Sequence, residues 1–457
     1  MATVLQFGDE ITVESPREIV PVRWMAKFFF ATFWFIIFTG AVRKWLFPGV
    51  TALYLLQDVP IGFAYLYALW SGLFSRSYLM LGIVLLSVVI TLQGLAQIIF
   101  SGLDTFVAAV GVHNYLFYLP MLVIFPLCLT EKYRRKFVWW NLMLSLPMCL
   151  LAIAQAESPR QAIINRTSEG DAFGVPGADV ARVSGTFNFV SFYGVWVGMA
   201  VALCMGEWLL QKDRRVFKSR WLLILCTFAV NLCHLVSASR ATIALAAASI
   251  FGAMVGAVVL RSNRALLAIG GILVLLPVVA GLTYVISPAE FNVVADRFTG
   301  EQYQSSNQSR VEEGLIGFLV LPKFSLIGAG IGMGVDAAHA GSANAYQYTY
   351  GLSETDTVRN VMELGTPVGL LYVLTRIGFL FCMVLLSIRI VRNGSSPHVL
   401  PLAFFLLAQG YLGDMTRNAA MTASQMMVYY AFILGAYFFP DNAGLEAETG
   451  KFSTRYA

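Results

Sequence analysis

The feature that most restricts this chain is the recurrence of apolar windows about as long as a bilayer is thick. A helix rising about 1.5 Å per residue needs roughly 20 mainly apolar residues to cross the hydrocarbon. Such windows fall near 26–42, 52–74, 78–100, 106–130, 137–156, 187–210, 221–238, 241–260, 265–286, 361–388, 399–415 and 421–439. That rule gives about 12 transmembrane helices. A composition that is 58% hydrophobic and 12% charged cannot be folded around one water-soluble core. The expected fold class is therefore all-α: a polytopic integral membrane protein, one transmembrane domain over residues 1–457, with 441–457 as a flexible cytoplasmic tail. The first window is flanked by Arg23, Lys27, Arg43 and Lys44, and no small-residue cleavage site follows it, so it reads as an anchor.

Charge sets the expected orientation. The clusters Lys132 to Lys136, Lys212 to Arg220, and Arg261 with Arg264 are separated by even numbers of windows, so all three can share one side. Short cytoplasmic loops collect Lys and Arg, which makes that side the cytoplasm and puts both termini there. Two long segments then face the periplasm: residues 157–186, and the main loop 287–360. Loops of this length are usually functional or disordered.

On that outer face Arg182, Arg240, Arg310 and Arg359 each open or close a span. An arginine drawn to the helix centre costs about 2.5–3.5 kcal/mol on insertion scales, so such residues usually have a partner. Snorkelling to lipid phosphate explains any one of them. As a set they suit an anionic ligand, a pyrophosphate best, because the guanidinium fork matches two phosphate oxygens at once. Arg43 and Lys44 form a dibasic pair in a short outer loop, against the usual bias, and Asp58 lies in the outer part of the next window; these residues would form a supporting ion pair or extend the phosphate site.

Other signals are weaker. The six cysteines lie in apolar windows without metal spacing and read as packing residues. There is no Asp-x-Asp for a divalent metal, and neither a cofactor nor a nucleic-acid partner is expected. The turn Gly328-Ala-Gly330-Ile-Gly332-Met-Gly334 fails the dinucleotide pattern and reads as a flexible bend allowing close backbone approach. Ser309 to Leu321 reads as an amphipathic segment. In Glu354-Thr-Asp356-Thr-Val-Arg359-Asn-Val-Met-Glu363-Leu-Gly365, acids and a base are interleaved just before an apolar run. This is either a solvated helix cap or a general base held near arginines, with Glu354, Arg359 and Glu363 on one helical face. Of the four histidines, His113 lies inside a window far from the loop and reads as a buried, hydrogen-bonded residue, His234 also lies inside a window, and His398 is cytoplasmic; His339 in the main loop is the second-choice base after Glu354.

Four short elements, in order, carry a resemblance. Arg182-Val-Ser-Gly185-Thr186-Phe187-Asn188 opens one span and Ser239-Arg240 opens another. Ser309-Arg310 precedes Ile327-Gly328-Ala-Gly330, and Glu363-Leu-Gly365 with Gly369 closes the long loop. Over roughly residues 180–370 the chain resembles the O-antigen polymerase and O-antigen ligase superfamily. Two departures stand out: Glu354 and Thr355 occupy the places where ligases of the family carry His-Asn, and Gly314 stands where an aromatic residue is common.

The resemblance implies a metal-independent glycosyltransferase whose donor and acceptor are undecaprenyl-pyrophosphate-linked glycans. Its further partners would be membrane lipid and a chain-length regulator or export machinery. Arg182, Arg240 and Arg310 would bind the pyrophosphate, Glu354 and Arg359 would be catalytic, and Arg43, Lys44, Asp58, Asn188, Asp356 and Glu363 would support them. The absent histidine favours a polymerase of an exopolysaccharide or O-antigen pathway over a ligase acting on a lipid or protein acceptor. A transporter or flippase for the same lipid-linked sugar is the third reading, kept open by Arg376 inside a window.

Overall fold

The computed structural model describes residues 20–74, 77–168, 170, 174–175, 178–237, 239–286, 288–300, 308, 312–320, 325–335, 355–412 and 419–441. These residues are mainly helical. In chain order they form α1 (Val20–Ala41), α2 (Asp58–Trp70), α3 (Tyr78–Ser101), α4 (Thr105–Leu116), α5 (Met121–Ile124), α6 (Glu131–Ala156), α7 (Val190–Leu209), α8 (Arg220–Val236), α9 (Arg240–Val259), α10 (Asn263–Ile286) and α11 (Pro288–Thr299). Then come α12 (Asp356–Leu364), α13 (Thr366–Arg392), α14 (Val399–Leu412) and α15 (Ala419–Phe438). One departure from an all-α chain is a two-stranded antiparallel hairpin, Gly174–Val175 with Ala178–Ala181, in the first long loop.

Among the described residues seven helical segments are long and apolar enough to cross a membrane: Pro21–Leu46, Tyr78–Ser101, Thr105–Cys128, Glu131–Ala156, Val190–Leu209, Asn263–Val285 and Thr366–Arg392. Arg220–Val236, Leu245–Val259 and Val399–Leu412 are apolar but shorter. The window 52–74 is not a single span: a 3-10 turn, Thr51–Leu55, precedes the 13-residue α2. The window 361–388 is also divided, because Gly365 takes φ +78° and separates α12 from α13.

Local sequence sets the other ends. Ser77 accepts from Met80 N to start α3, Gly102 at φ +64° stops it, and Asp104 accepts from Phe106 N and Val107 N to start α4. The long core helix is α7, packed between α9, α14 and α8, with residues from Tyr193 to Met205 almost wholly buried. By contrast α3 turns Leu81, Leu85, Val88, Leu92 and Ile99 outward, as a helix facing lipid would.

The basic clusters meet at one end of the bundle. Arg135 donates to the carbonyls of Arg214 (2.7 Å) and Arg215 (3.1 Å). Arg134 pairs with Asp441, whose other oxygen accepts from Ser396 N at 2.7 Å. His398 Nε2 lies 2.8 Å from Glu207 Oε1 at the same end. The helix ends near Lys44, Gln155, Val190 and Thr366 form the opposite end, where the candidate site lies.

Candidate functional site

The described candidate residues fall into two halves at that opposite end. The first half is the Arg182 element. Lys44, 1% exposed and placed by a π turn (Val42–Leu46) that ends α1, donates to Ser184 Oγ (2.9 Å), Gly185 O (2.8 Å) and Phe187 O (3.0 Å). Three acceptors around one nitrogen use all three protons of an ammonium. Gln155, near the end of α6, holds Gly185 from both sides, accepting from its N–H at 2.8 Å and donating to its carbonyl at 3.1 Å. Thr186 Oγ1 donates to Ile37 O (2.7 Å), and a Cβ on Gly40 would sit 2.3 Å from Thr186 O, so only glycine lets α1 approach so closely. The Asn188 amide, oriented to donate to Gly40 O (3.3 Å), puts its oxygen 2.7 Å from Arg43 Nη1. The loop then runs directly into the N-terminus of α7, and Arg182 is half-buried at its start.

The second half is α12 and the glycine-rich turn. Arg359 and Asp356 are both buried and pair with each other one helical turn apart. The second Asp356 oxygen accepts from Arg376 Nη1 of α13 at 2.6 Å, and Arg376 Nε donates to Gly410 O of α14 at 2.8 Å. Thus the charge inside the 361–388 window has a carboxylate partner, reached because helical side chains point toward the N-terminus.

Glu363, one turn beyond Arg359, is fully buried. Its Oε1 accepts from Gly334 N (2.7 Å), and its Oε2 from Tyr115 Oη (2.8 Å) and Gly332 N (3.4 Å). Burial raises the Glu363 carboxyl above the usual carboxylate range, while Arg359, Tyr115 and the glycine N–H groups pull the other way. The Tyr115 hydroxyl also lies 2.8 Å from Asn360 Oδ1.

The glycine turn does make close backbone approaches, but it is clamped in place. Gln97 of α3 donates to Ile327 O (2.6 Å) and Glu363 O (2.7 Å) and accepts from Ile331 N (2.7 Å); Gln93 donates to Ile327 O and Leu364 O. A Cβ on Gly111 of α4 would sit 2.6 Å from the Gly332 nitrogen. Helix α4 therefore lies against the long loop, whereas the sequence placed it far away.

Asp58 does not pair with Lys44. Its oxygens are taken by His113 Nε2 (3.0 Å) and Tyr118 Oη (2.7 Å), because α4 and not the π turn lies beside the first turn of α2. His113, read as a buried and hydrogen-bonded residue, is hydrogen-bonded but keeps a quarter of its side chain exposed. Arg240 is the first residue of α9, after Ser239 in extended conformation. Arg310, His339 and Glu354 lie outside the described residues, as do Ser309 and Leu321 of the amphipathic segment; within it Glu313–Gly317 forms a π turn.

Sequence reasoning missed Tyr115, Gln93, Gln97 and Gln155. The signal for two of them was present: Gln93 and Gln97 are four residues apart on an otherwise apolar helix, a polar pair that needs partners in lipid. Among the described residues no group of three His, Cys, Asp or Glu side chains is placed to hold a metal ion. No protein-family model and no curated protein matches this chain.

Proposed function

We propose that this membrane protein is a glycosyltransferase that polymerises undecaprenyl-pyrophosphate-linked oligosaccharide repeat units at the periplasmic face of a bacterial inner membrane. The observation that carries the reading is the Lys44 clamp. Lys44, bonded only to uncharged oxygens, fixes the Ser184 to Phe187 loop at the N-terminus of α7, with Arg43 beside it and Arg182 at the head of the same loop. A pyrophosphate leaving group needs such fixed donors where its charge develops.

In this reaction the acceptor hydroxyl attacks the anomeric carbon of the donor glycan, the bond from that carbon to the pyrophosphate oxygen breaks, and the acceptor proton passes to Glu354. Arg182, Arg240 and Arg310 take the pyrophosphate. Arg359 and Asp356 are tied to each other and to Arg376, which suits them to shaping the wall of the site. That tie also weakens the transporter reading, since the charge of Arg376 is already partnered. A ligase would use the same donor site with a different acceptor.

Purified protein given a lipid-linked repeat unit is expected to make a ladder of longer glycans, and Glu354→Gln is expected to abolish the ladder while donor binding persists. Transfer of one preformed glycan to a lipid or protein acceptor without a ladder would select the ligase. A wild-type ladder from Glu354→Gln would move the base elsewhere.

A further inference from the structure

The basic end of the bundle carries a buried charge that its neighbours do not meet. Arg215, 6% exposed, lies in the turn between α7 and α8. Its guanidinium carbon sits 5.0 Å from the Trp208 ring centroid and its Nε donates to Leu210 O (3.2 Å), but its two Nη nitrogens meet no acceptor among the described residues. The turn itself is held firmly: Val216 N donates to Glu207 Oε2 (2.9 Å), and Arg135 of α6 donates to the Arg214 and Arg215 carbonyls. Burial lowers the Arg215 guanidinium from its ordinary value; the Arg264 charge lowers it further, Glu207 raises it, and Arg220 lowers it again.

Arg220 and Arg264 stand at the starts of two neighbouring helices. Ser219 Oγ accepts from Leu222 N (3.4 Å) to start α8, and Ser262 Oγ accepts from Ala265 N (3.2 Å) to start α10. Both helices begin at this end and pack together, so the positive ends of two dipoles fall beside the arginines. Of the nearby carboxylates, Glu207 is taken by His398 and Val216 N, Glu131 lies 4.0 Å from Arg135, and Asp213 is exposed and bonds no other described residue. Charge bias between compartments asks only for lysine and arginine in the loops. It does not account for a buried guanidinium with open donors and two like charges acting on it, whereas an anion held between them does.

Apolar surface continues from this charge. Trp221, 80% exposed, and Leu225 lie outward one turn apart on α8, and Leu267 lies outward on α10. Acyl chains would lie there beneath a phosphate held by the arginines, and an indole at that level suits the membrane interface. We propose that Arg215, Arg220 and Arg264 bind the phosphate of an anionic membrane lipid at the basic end of the bundle, with its acyl chains along Trp221, Leu225 and Leu267. This site lies at the end opposite Lys44 and does not depend on the glycosyltransferase reading.

The test is native mass spectrometry of the full chain in detergent, titrated with phosphatidylglycerol or with phosphatidylcholine, whose choline cation the arginines repel. One phosphatidylglycerol is expected to bind about tenfold more tightly than phosphatidylcholine. Arg215→Gln should weaken it about tenfold, the worth of one hydrogen bond to a charged group. That variant also gives up the Leu210 and Trp208 contacts. Arg264 bonds no other described residue, so Arg264→Gln should weaken binding similarly with an unchanged melting temperature. Arg392→Gln takes the same charge from the last turn of α13 at the same end and should leave binding as it is.

Equal affinity for the two lipids would overturn the proposal. So would equal weakening by Arg392→Gln and Arg264→Gln, which would reduce the effect to diffuse attraction by loop charge. Displacement of the lipid by an equal concentration of inorganic phosphate would also overturn it, since the arginines would then hold a free anion and not a headgroup.

Discussion

Replacing Lys44 with methionine keeps the length of the side chain and removes its three bonds to the Ser184 to Phe187 loop. Gly185 O keeps Gln155 Nε2, and the Ser184 hydroxyl can rotate, so the Phe187 carbonyl is the acceptor left stranded. A stranded buried acceptor costs about 1–3 kcal/mol and each lost bond to a charged donor about 1.5–3 kcal/mol, partly offset because the ammonium is no longer buried. Taking about 2–4 kcal/mol for the net loss of loop docking, the opening equilibrium should rise roughly 30- to 700-fold.

Amide hydrogen exchange in nanodiscs reads this directly at the Gly185 N–H, bonded to Gln155, and the Phe187 N–H, bonded to Ser184 O. Peptides from the middle of α7 should exchange as before. Lys44→Arg should behave like the methionine variant, because a planar fork cannot serve three acceptors arranged around one nitrogen. Unchanged exchange at residues 183–188 in Lys44→Met would show that Gln155 and Thr186 hold the loop alone, and would remove the observation on which the functional proposal stands.

Three further outcomes are expected. If Arg240 grips phosphate through its fork, Arg240→Lys should cut polymer yield nearly as far as Arg240→Ala, with exposed Arg166 tolerating both changes; a fully active lysine variant would make Arg240 an interfacial anchor. Asp356→Asn should lower stability by about 3–5 kcal/mol by leaving Arg359 and Arg376 without their carboxylate, and adding Arg376→Met should recover part of the loss in thermal melts. Because burial raises the Glu363 carboxyl, its protonated form favours the fold: that contribution is complete below the unfolded value of about 4.3 and is lost as pH rises through the higher folded value. Glu363→Gln should therefore flatten this downward slope of stability with pH, and an identical slope in both proteins would place the titration elsewhere.

What could be read from the chain was what depends on neighbours in sequence. Apolar length announced α1, α3, α6, α7, α10 and α13, and the even spacing of basic clusters anticipated that Arg135 and Arg215 would meet. The break at Gly365 was not read, because the window 361–388 is drawn from hydropathy, which runs across it. Contacts between distant residues were not legible. Lys44 and Ser184 are 140 residues apart, and nothing in either segment says that the ammonium prefers loop carbonyls to the carboxylate of Asp58. The glycine run read as a loose bend because its constraints, Gln97 and Glu363, come from other helices. Apolar composition likewise concealed that residues 52–74 make a turn and a short helix, since hydropathy counts residues and does not register where a chain reverses.

The Lys44 contact also imposes an order on biogenesis. Its partners leave the ribosome 140 residues later, which at about 5–20 residues per second is a delay of roughly 7–28 s. Through that interval the first helix carries a cation that it cannot bury, so it must wait at the membrane surface until α6 and the segment before α7 have been inserted. A nascent chain interrupted before Phe187 would keep that lysine permanently at the surface, a mark by which a membrane protease could tell an unfinished product from a finished one.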